Sequence, residues 1–160
     1  MKVSIVMGSI SDKPIGDKVI KVLEDFDVDY EIRVISAHRT PHVAQEFAEN
    51  AEINGIEVII AIAGKAAHLA GVLAGISPLP VIGIPAKSST MDGLDSLLSV
   101  VQMPKGVPVA TVAIDGGENG GLLAVQILSV KYPELREKFR DYKQKMAEET
   151  IEVDRELCNN

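Results

Sequence analysis

Val58-Ile59-Ile60-Ala61-Ile62-Ala63 is an unbroken apolar run, rich in β-branched residues and closed by Gly64. A short run that is apolar at every position reads as a strand covered on both faces, as in the middle of a parallel sheet. Outward from it the same grammar repeats. Val3 to Met7 is a second buried strand ending at Gly8, and Ile15, Val19, Val22, Leu23 and Phe26 follow it at helical spacing. Tyr30 to Ile35 alternates as a strand. Thr40-Pro41 then starts a helix, with a hydroxyl cap and proline at the first helical position. Val43, Phe47 and Ala51 form its inner face, and Asn54-Gly55 marks its end.

Downstream, Ala66 to Ile76 is small and apolar and predicts a buried helix; Val81 to Ile84 predicts a fourth strand. Leu94, Leu97, Leu98 and Val101 form a helical stripe, Val109 to Ile114 a fifth strand, and Leu122 to Val130 a further helix. Strands that alternate with helices in this way specify an α/β domain of three layers, a parallel sheet of about five strands with helices on both faces. No composition shift or internal repeat divides residues 1–132. From Pro133 to the end the pattern changes. Leu135, Phe139, Tyr142, Met146, Val153 and Leu157 recur on one helical face among many charges, and no strand follows. Residues 133–160 are therefore expected to form an appended helix that packs on a neighbouring subunit.

The 160 residues, 46% of them hydrophobic, suffice for one sizeable core. A formal charge of −7 argues against sequence-independent binding of nucleic acid. Cys158 is the single cysteine, which points to a reducing, cytoplasmic location. The chain is expected to enter a strand at once, without a signal peptide. Pro78, Pro80 and Pro85 interrupt its most apolar region, so no run spans a membrane.

Three strand-to-helix loops carry the chemistry. Gly8-Ser9-Ile10-Ser11-Asp12 offers backbone N–H groups and two hydroxyls to an anion, although it lacks the glycine spacing of a dinucleotide fingerprint. Its Asp12 either caps the helix or binds a sugar hydroxyl. Ser36-Ala37-His38-Arg39-Thr40-Pro41 places an imidazole, the group whose charge changes near neutral pH, beside a guanidinium fork suited to phosphate or carboxylate. Ala63-Gly64-Lys65-Ala66-Ala67-His68-Leu69 lets a ligand approach the backbone and sets His68 in an apolar stretch. Each histidine, taken alone, is equally readable as a packed structural residue. Taken together they are not: in a flavodoxin-like strand order 2-1-3-4-5, strands 2, 1 and 3 are neighbours and their C-terminal loops meet in one crevice. His38 and His42 flank the helix start and share no face, so they make no metal site, and no G-x-S-x-G elbow is present. The alternative is a non-catalytic nucleotide-binding module on the same architecture; receiver domains of that kind need acids after strand 1, where Gly8-Ser9 stands.

The loops, in this order, resemble the PurE family of purine biosynthesis, which has a mutase branch and a carboxylase branch. The resemblance runs from Val3 to Met146 and rests on Met7 to Asp12, Ser36 to Pro41, Ala66 to Leu69, Leu79-Pro80-Val81, Gly93 to Ser99, and the idiosyncratic stretch Gln102 to Thr111. It implies a flavodoxin-like subunit of a homo-octamer. It also implies that a carboxyl group moves on a small ribonucleotide, from the exocyclic nitrogen to carbon C4, without ATP, biotin or metal. By the same resemblance His38 is the general acid/base, with His68 beside it as a catalytic candidate. Ser9, Asp12 and Arg39 match substrate-binding positions, with Ser11 at the phosphate end. Ser36, Gly64, Lys65, Ala66 and Leu69 complete the set, the Lys65 to His68 segment enclosing the carboxylate or carbon dioxide. Arg39 and His68 match the mutase branch. Lys65 and Ala70 depart from it, and a basic residue near Lys65 is a feature of the carboxylase branch, which uses carbon dioxide directly.

Overall fold

The computed structural model describes residues 1–89 and 91–158. Five parallel strands form one sheet in the order β2-β1-β3-β4-β5. They are β1 (Lys2–Met7), β2 (Asp29–Val34), β3 (Val58–Gly64), β4 (Val81–Ala86) and β5 (Ala110–Thr111). Among the described residues there are six α-helices: α1 (Lys13–Asp25), α2 (Pro41–Asn50), α3 (Leu69–Ile76), α4 (Leu94–Val101), α5 (Gly117–Leu128) and α6 (Pro133–Cys158). The flavodoxin-like order and the three layers are those expected from the sequence.

The all-apolar run of β3 is explained by the two cores it separates. Successive strand residues point to opposite faces. Val58, Ile60 and Ile62 join Val3, Ile5, Ile82 and Ile84 beneath α1 and α5. Ile59, Ala61 and Ala63 face the other way, toward Phe47, Leu73 and Val100 on α2, α3 and α4. Each of the buried valine, leucine and isoleucine side chains among them contributes about 1.5–3 kcal/mol.

The sequence reading departs from the structure at four elements. The predicted fifth strand, Val109 to Ile114, pairs only at Ala110 and Thr111. Beyond them the chain still follows β4, with Val112 N–H donating to Gly83 O and Asp115 N–H to Pro85 O, but Pro85 has no N–H to return a bond and the ladder stops. The helix expected from Ala66 begins at Leu69, because Lys65 sits in the left-handed region with φ 57° and Ala66 to His68 form tight turns. The α4 stripe is turned outward: Leu94, Leu98 and Val101 are exposed. That helix instead buries Val100 and Ser96, whose hydroxyl donates to the carbonyls of Ala86 and Gly93 at 2.8 Å each. Finally, α5 starts at Gly117 and not at Leu122.

Those early glycines of α5 are packing surfaces. A Cβ on Gly117 would lie 2.5 Å from Ile15 O, and one on Gly121 2.9 Å from Val22 Cβ. The lack of side chains lets α5 press against α1, the helix that carries the first of the three strand-to-helix loops at its start. On the same layer, Leu135 is fully buried and Phe139 packs against Phe26, so the first turns of α6 dock on this domain. Beyond Tyr142 the helix is exposed along its length, with Met146, Ile151, Val153 and Leu157 open to solvent. No helix among the described residues is long and apolar enough to cross a membrane.

Gly117→Ala must separate α1 from α5, because the clash is with backbone. Overpacking of this kind costs about 1–3 kcal/mol. Thermal unfolding should show a clear fall in Tm, whereas Gly75→Ala in α3, where a Cβ would meet nothing nearer than 3.9 Å, should not lower it. Equal melting of the parent and the Gly117 variant would contradict the close-packing account.

Candidate active site

The pairing registers bring the strand ends to one level. Met7 aligns with Val34 on one side and Ile62 on the other, and Gly64 aligns with Ala86. The loops after β2, β1, β3 and β4 therefore open side by side, into a cleft of about 610 Å³.

In the first loop Ser9 starts a short 3-10 turn, Ile10–Asp12. Ser9 Oγ accepts the Ser11 N–H at 3.3 Å and the Ser11 hydroxyl at 2.9 Å. Asp12 Oδ2 accepts the Ser9 N–H at 3.1 Å. Asp12 makes no side-chain cap bond at α1; its carboxylate instead closes a reciprocal box with Ser9 around the 3-10 turn, which fixes both hydroxyls at the cleft. Asp12 is only 8% exposed. Burial pushes its carboxyl above the ordinary value; the Ser9 N–H bond works against this, the nearby Asp115 carboxylate adds to it, and the Ser11 hydroxyl opposes it.

The second loop is tied to the first by Arg39. Its Nη2 donates to Gly8 O at 3.0 Å and its Nε to Ser36 Oγ at 3.2 Å. Ser36 Oγ also accepts the Arg39 backbone N–H. Thr40 was expected to cap α2, but its hydroxyl turns back instead. It accepts the Ser36 N–H at 3.2 Å and donates to Ser36 O at 3.0 Å, closing the loop that presents His38.

The third loop brings His68 across to His38. Nε2 of His38 and Nδ1 of His68 lie 3.0 Å apart, with the rings edge to face at 75°. At this distance one of the two nitrogens carries a hydrogen and the other accepts it. Gly64 allows the approach of β4, since a Cβ there would stand 3.3 Å from Ala86 O. Lys65 takes its left-handed conformation at the lip of the cleft, a geometry that costs a non-glycine residue about 1 kcal/mol or more.

Every residue singled out from the sequence lines this cleft: Ser9, Ser11, Asp12, Ser36, His38, Arg39, Gly64, Lys65, Ala66, His68 and Leu69. Lys87 and Ser88, which follow β4, line it as well and were missed. The signal was available, because β4 neighbours β3 and its C-terminal loop must open beside the third loop. The Lys87 N–H donates to Asp115 Oδ1 at 2.8 Å, and its ammonium lies 3.2 Å from Asp92. Among the described residues no three His, Cys, Asp or Glu side chains converge as metal ligands.

The sequence model of the AIR carboxylase family matches residues 2–149. An N5-carboxyaminoimidazole ribonucleotide mutase from Pyrococcus abyssi is 62% identical over 145 residues, 91% of this chain and 83% of that protein. A protein of the same description from Thermotoga maritima is 57% identical over 151 residues, covering 94% and 88%. The crystal structure of Treponema denticola PurE superposes with a TM-score of 0.88 at 32% identity, covering 98% of each chain. The chain, an α/β domain whose cleft opens at the carboxyl ends of its strands, thus belongs to the AIR carboxylase family.

The raised Asp12 carboxyl has a sign that can be tested. A carboxyl raised by burial keeps its proton longer in the folded than in the unfolded chain, so folding is weakened as pH climbs through that interval. The penalty is complete above the folded pKa and absent below the ordinary carboxylate value. Asp12→Asn should therefore melt above the parent at pH 7, with the difference closing in acid. A less stable variant at pH 7 would show that the Ser9 and Ser11 bonds outweigh burial.

Proposed function

We infer that this chain is an isomerase of purine biosynthesis, converting N5-carboxyaminoimidazole ribonucleotide to 4-carboxy-5-aminoimidazole ribonucleotide. The observation that carries the reading is the imidazole pair His38 and His68 over a cleft rimmed by hydroxyls and a guanidinium. Breaking the carbamate C–N bond releases carbon dioxide and leaves the electron pair on the exocyclic nitrogen, which takes a proton. C4 then attacks the carbon dioxide and loses its own proton to a base. His38 is the acid and the base in turn, a role typically worth about 10²–10⁴-fold. Ser9, Ser11 and Arg39 hold the phosphate, Asp12 and Ser36 the sugar side. Gly64 to Leu69, with its small side chains, keeps carbon dioxide over C4. Close relatives described as mutases support the reaction.

Lys65 favours a second reading, direct carboxylation of aminoimidazole ribonucleotide. Its ammonium has no ion-pair partner among the described residues and its strained backbone holds it at the cleft. Such a cation attracts bicarbonate or a carboxylate. One assay separates the two. For a mutase, product forms from the N5-carboxylated substrate without added bicarbonate, and labelled bicarbonate enters it slowly. Efficient turnover of aminoimidazole ribonucleotide at low bicarbonate, with little activity on the N5-carboxylated compound, would overturn the mutase reading.

The working unit is a homo-oligomer, an octamer by family resemblance. The outward apolar stripe of α4 and the exposed distal half of α6 support this, as one subunit leaves both uncovered. Truncation after Tyr142 spares the buried Leu135 and the half-buried Phe139 and should shift the mass seen by light scattering to smaller species. A monomeric parent, or an intact assembly in the truncated protein, would contradict it.

A further inference from the structure

Three fixed cations line the cleft, Arg39, Lys65 and Lys87, against a single acid among the described lining residues, Asp12. The chain as a whole has the opposite balance, with a formal charge of −7. The cations fall into two groups. Arg39 stands on the β2–β1 side, where its guanidinium donates to Gly8 O and Ser36 Oγ. Lys65 and Lys87 stand on the other side. Gly64 and Ala86 are register partners at the ends of β3 and β4, and the two lysines are the residues that follow them. Neighbouring strands lie about 4.8 Å apart. Two ammonium-bearing side chains therefore start from adjacent positions at one edge of the cleft.

Left-handed backbone supports both of them. Lys65 itself has φ 57°. The tight turns after it, Ala67 N–H to Lys65 O and His68 N–H to Ala66 O at 2.8 Å each, tie it to the loop that bears His68. Lys87 is anchored through Asp115, which has φ 56°. The Asp115 carboxylate accepts the Lys87 N–H at 2.8 Å, and its own N–H donates to Pro85 O at 2.9 Å. Backbone of this kind is unfavourable for a residue other than glycine, and it persists where the surroundings hold it. Neither ammonium is held elsewhere. Lys65 makes no ion pair among the described residues. Lys87 lies 3.2 Å from Asp92, in an exposed pair that an anion in the cleft can replace at little cost.

We propose that Lys65 and Lys87 form an anion subsite for the carboxyl group of the nucleotide, separate from the phosphate end at Ser9, Ser11 and Arg39. The proposal rests on the reaction argued above. Substrate and product of that reaction each carry two anionic groups, a phosphate at one end and a carboxyl group at the other, and the cleft has cations on two sides to match. The subsite also bears on the chemical step. In the carbamate the carboxyl group is negatively charged. When the C–N bond breaks, the electron pair stays on nitrogen and carbon dioxide leaves neutral. When C4 attacks, the charge returns to the carboxyl oxygens. Two ammonium groups stabilise that developing charge, so they favour recapture of carbon dioxide over its escape.

The test removes the two charges together. Lys65→Gly suits the left-handed backbone, and Lys87→Met keeps most of its side chain. The double variant is compared with the parent and with Lys65→Arg/Lys87→Arg, which retains both charges. Affinity is titrated for 4-carboxy-5-aminoimidazole ribonucleotide and for aminoimidazole ribonucleotide. During turnover of the N5-carboxylated substrate, the aminoimidazole ribonucleotide released per product formed is measured as well. The subsite predicts that the double variant loses about tenfold or more in affinity for the carboxylated nucleotide. It keeps its affinity for the uncarboxylated one and releases more of it per turnover, while the arginine pair recovers most of the loss. An equal loss for both nucleotides makes the lysines part of the phosphate end or of the cleft frame and overturns the proposal. No loss for either overturns it as well. A third result is that bicarbonate tightens aminoimidazole ribonucleotide in the parent only, with affinity for the carboxylated nucleotide unchanged. The occupant is then free bicarbonate, and the assignment to the nucleotide's own group falls. A parent that binds neither nucleotide is a different failure, that of the reaction reading, and takes the subsite with it.

Discussion

Met7 is bound on both sides, paired with Val34 of β2 and with Ile62 of β3. The site depends on that double register. A slip of one residue in either pairing would reverse every side chain of the strand relative to its core and shift one loop along the cleft. Such a slip is prohibited by β1 itself, because Val3, Ile5 and Met7 fill the core under α1 while Val6 fills the other. Hydrophobic burial on two faces thus fixes, at several residues' remove, which loops meet. Hydrogen bonds then fix how they meet. Arg39 reaches the Gly8 carbonyl, the Ser9–Asp12 box holds its own turn, and the Ser36–Thr40 bonds hold the loop that bears His38.

Much of this was legible beforehand because it rests on periodicity and on topology. Val58 to Ala63 could only be a central strand, and the strand order that follows from such a sheet brings Ser9, His38 and His68 together. What was not legible rests on contacts between segments distant in sequence. Gly117 and Gly121 look like loop residues until α1 is seen packed against them. The outward stripe of α4 has the spacing of an inner face, and only the burial of Ser96 and Val100 shows which side is in. Pro85 shortens β5 through a donor missing on the neighbouring strand. The imidazole contact joins residues from two separate loops, and sequence could place them in one crevice but could not give the 3.0 Å between them.

The cleft carries local costs. Asp12 is buried against its preference for charge, next to another acid. Lys65 occupies the left-handed region without being glycine, as do Asp27, Met91, Asp92 and Asp115 outside the cleft lining. Such features persist where surrounding structure holds them and tend to gather at working sites. Here the surroundings are two well-filled cores and a rigid sheet, so the strain is local to the loops and the scaffold is unaffected.

The central claim is that three loops, brought level by the β1 register, form one ribonucleotide site with the imidazole pair at its reactive end. A structure of the protein bound to 4-carboxy-5-aminoimidazole ribonucleotide tests it most directly. The account predicts the phosphate against Ser9, Ser11 and Arg39, and the substituted imidazole ring within hydrogen-bonding distance of His38 or His68. A ligand bound away from the Gly8–Asp12 and Ser36–Thr40 loops, or one whose base points away from both histidines, would contradict it.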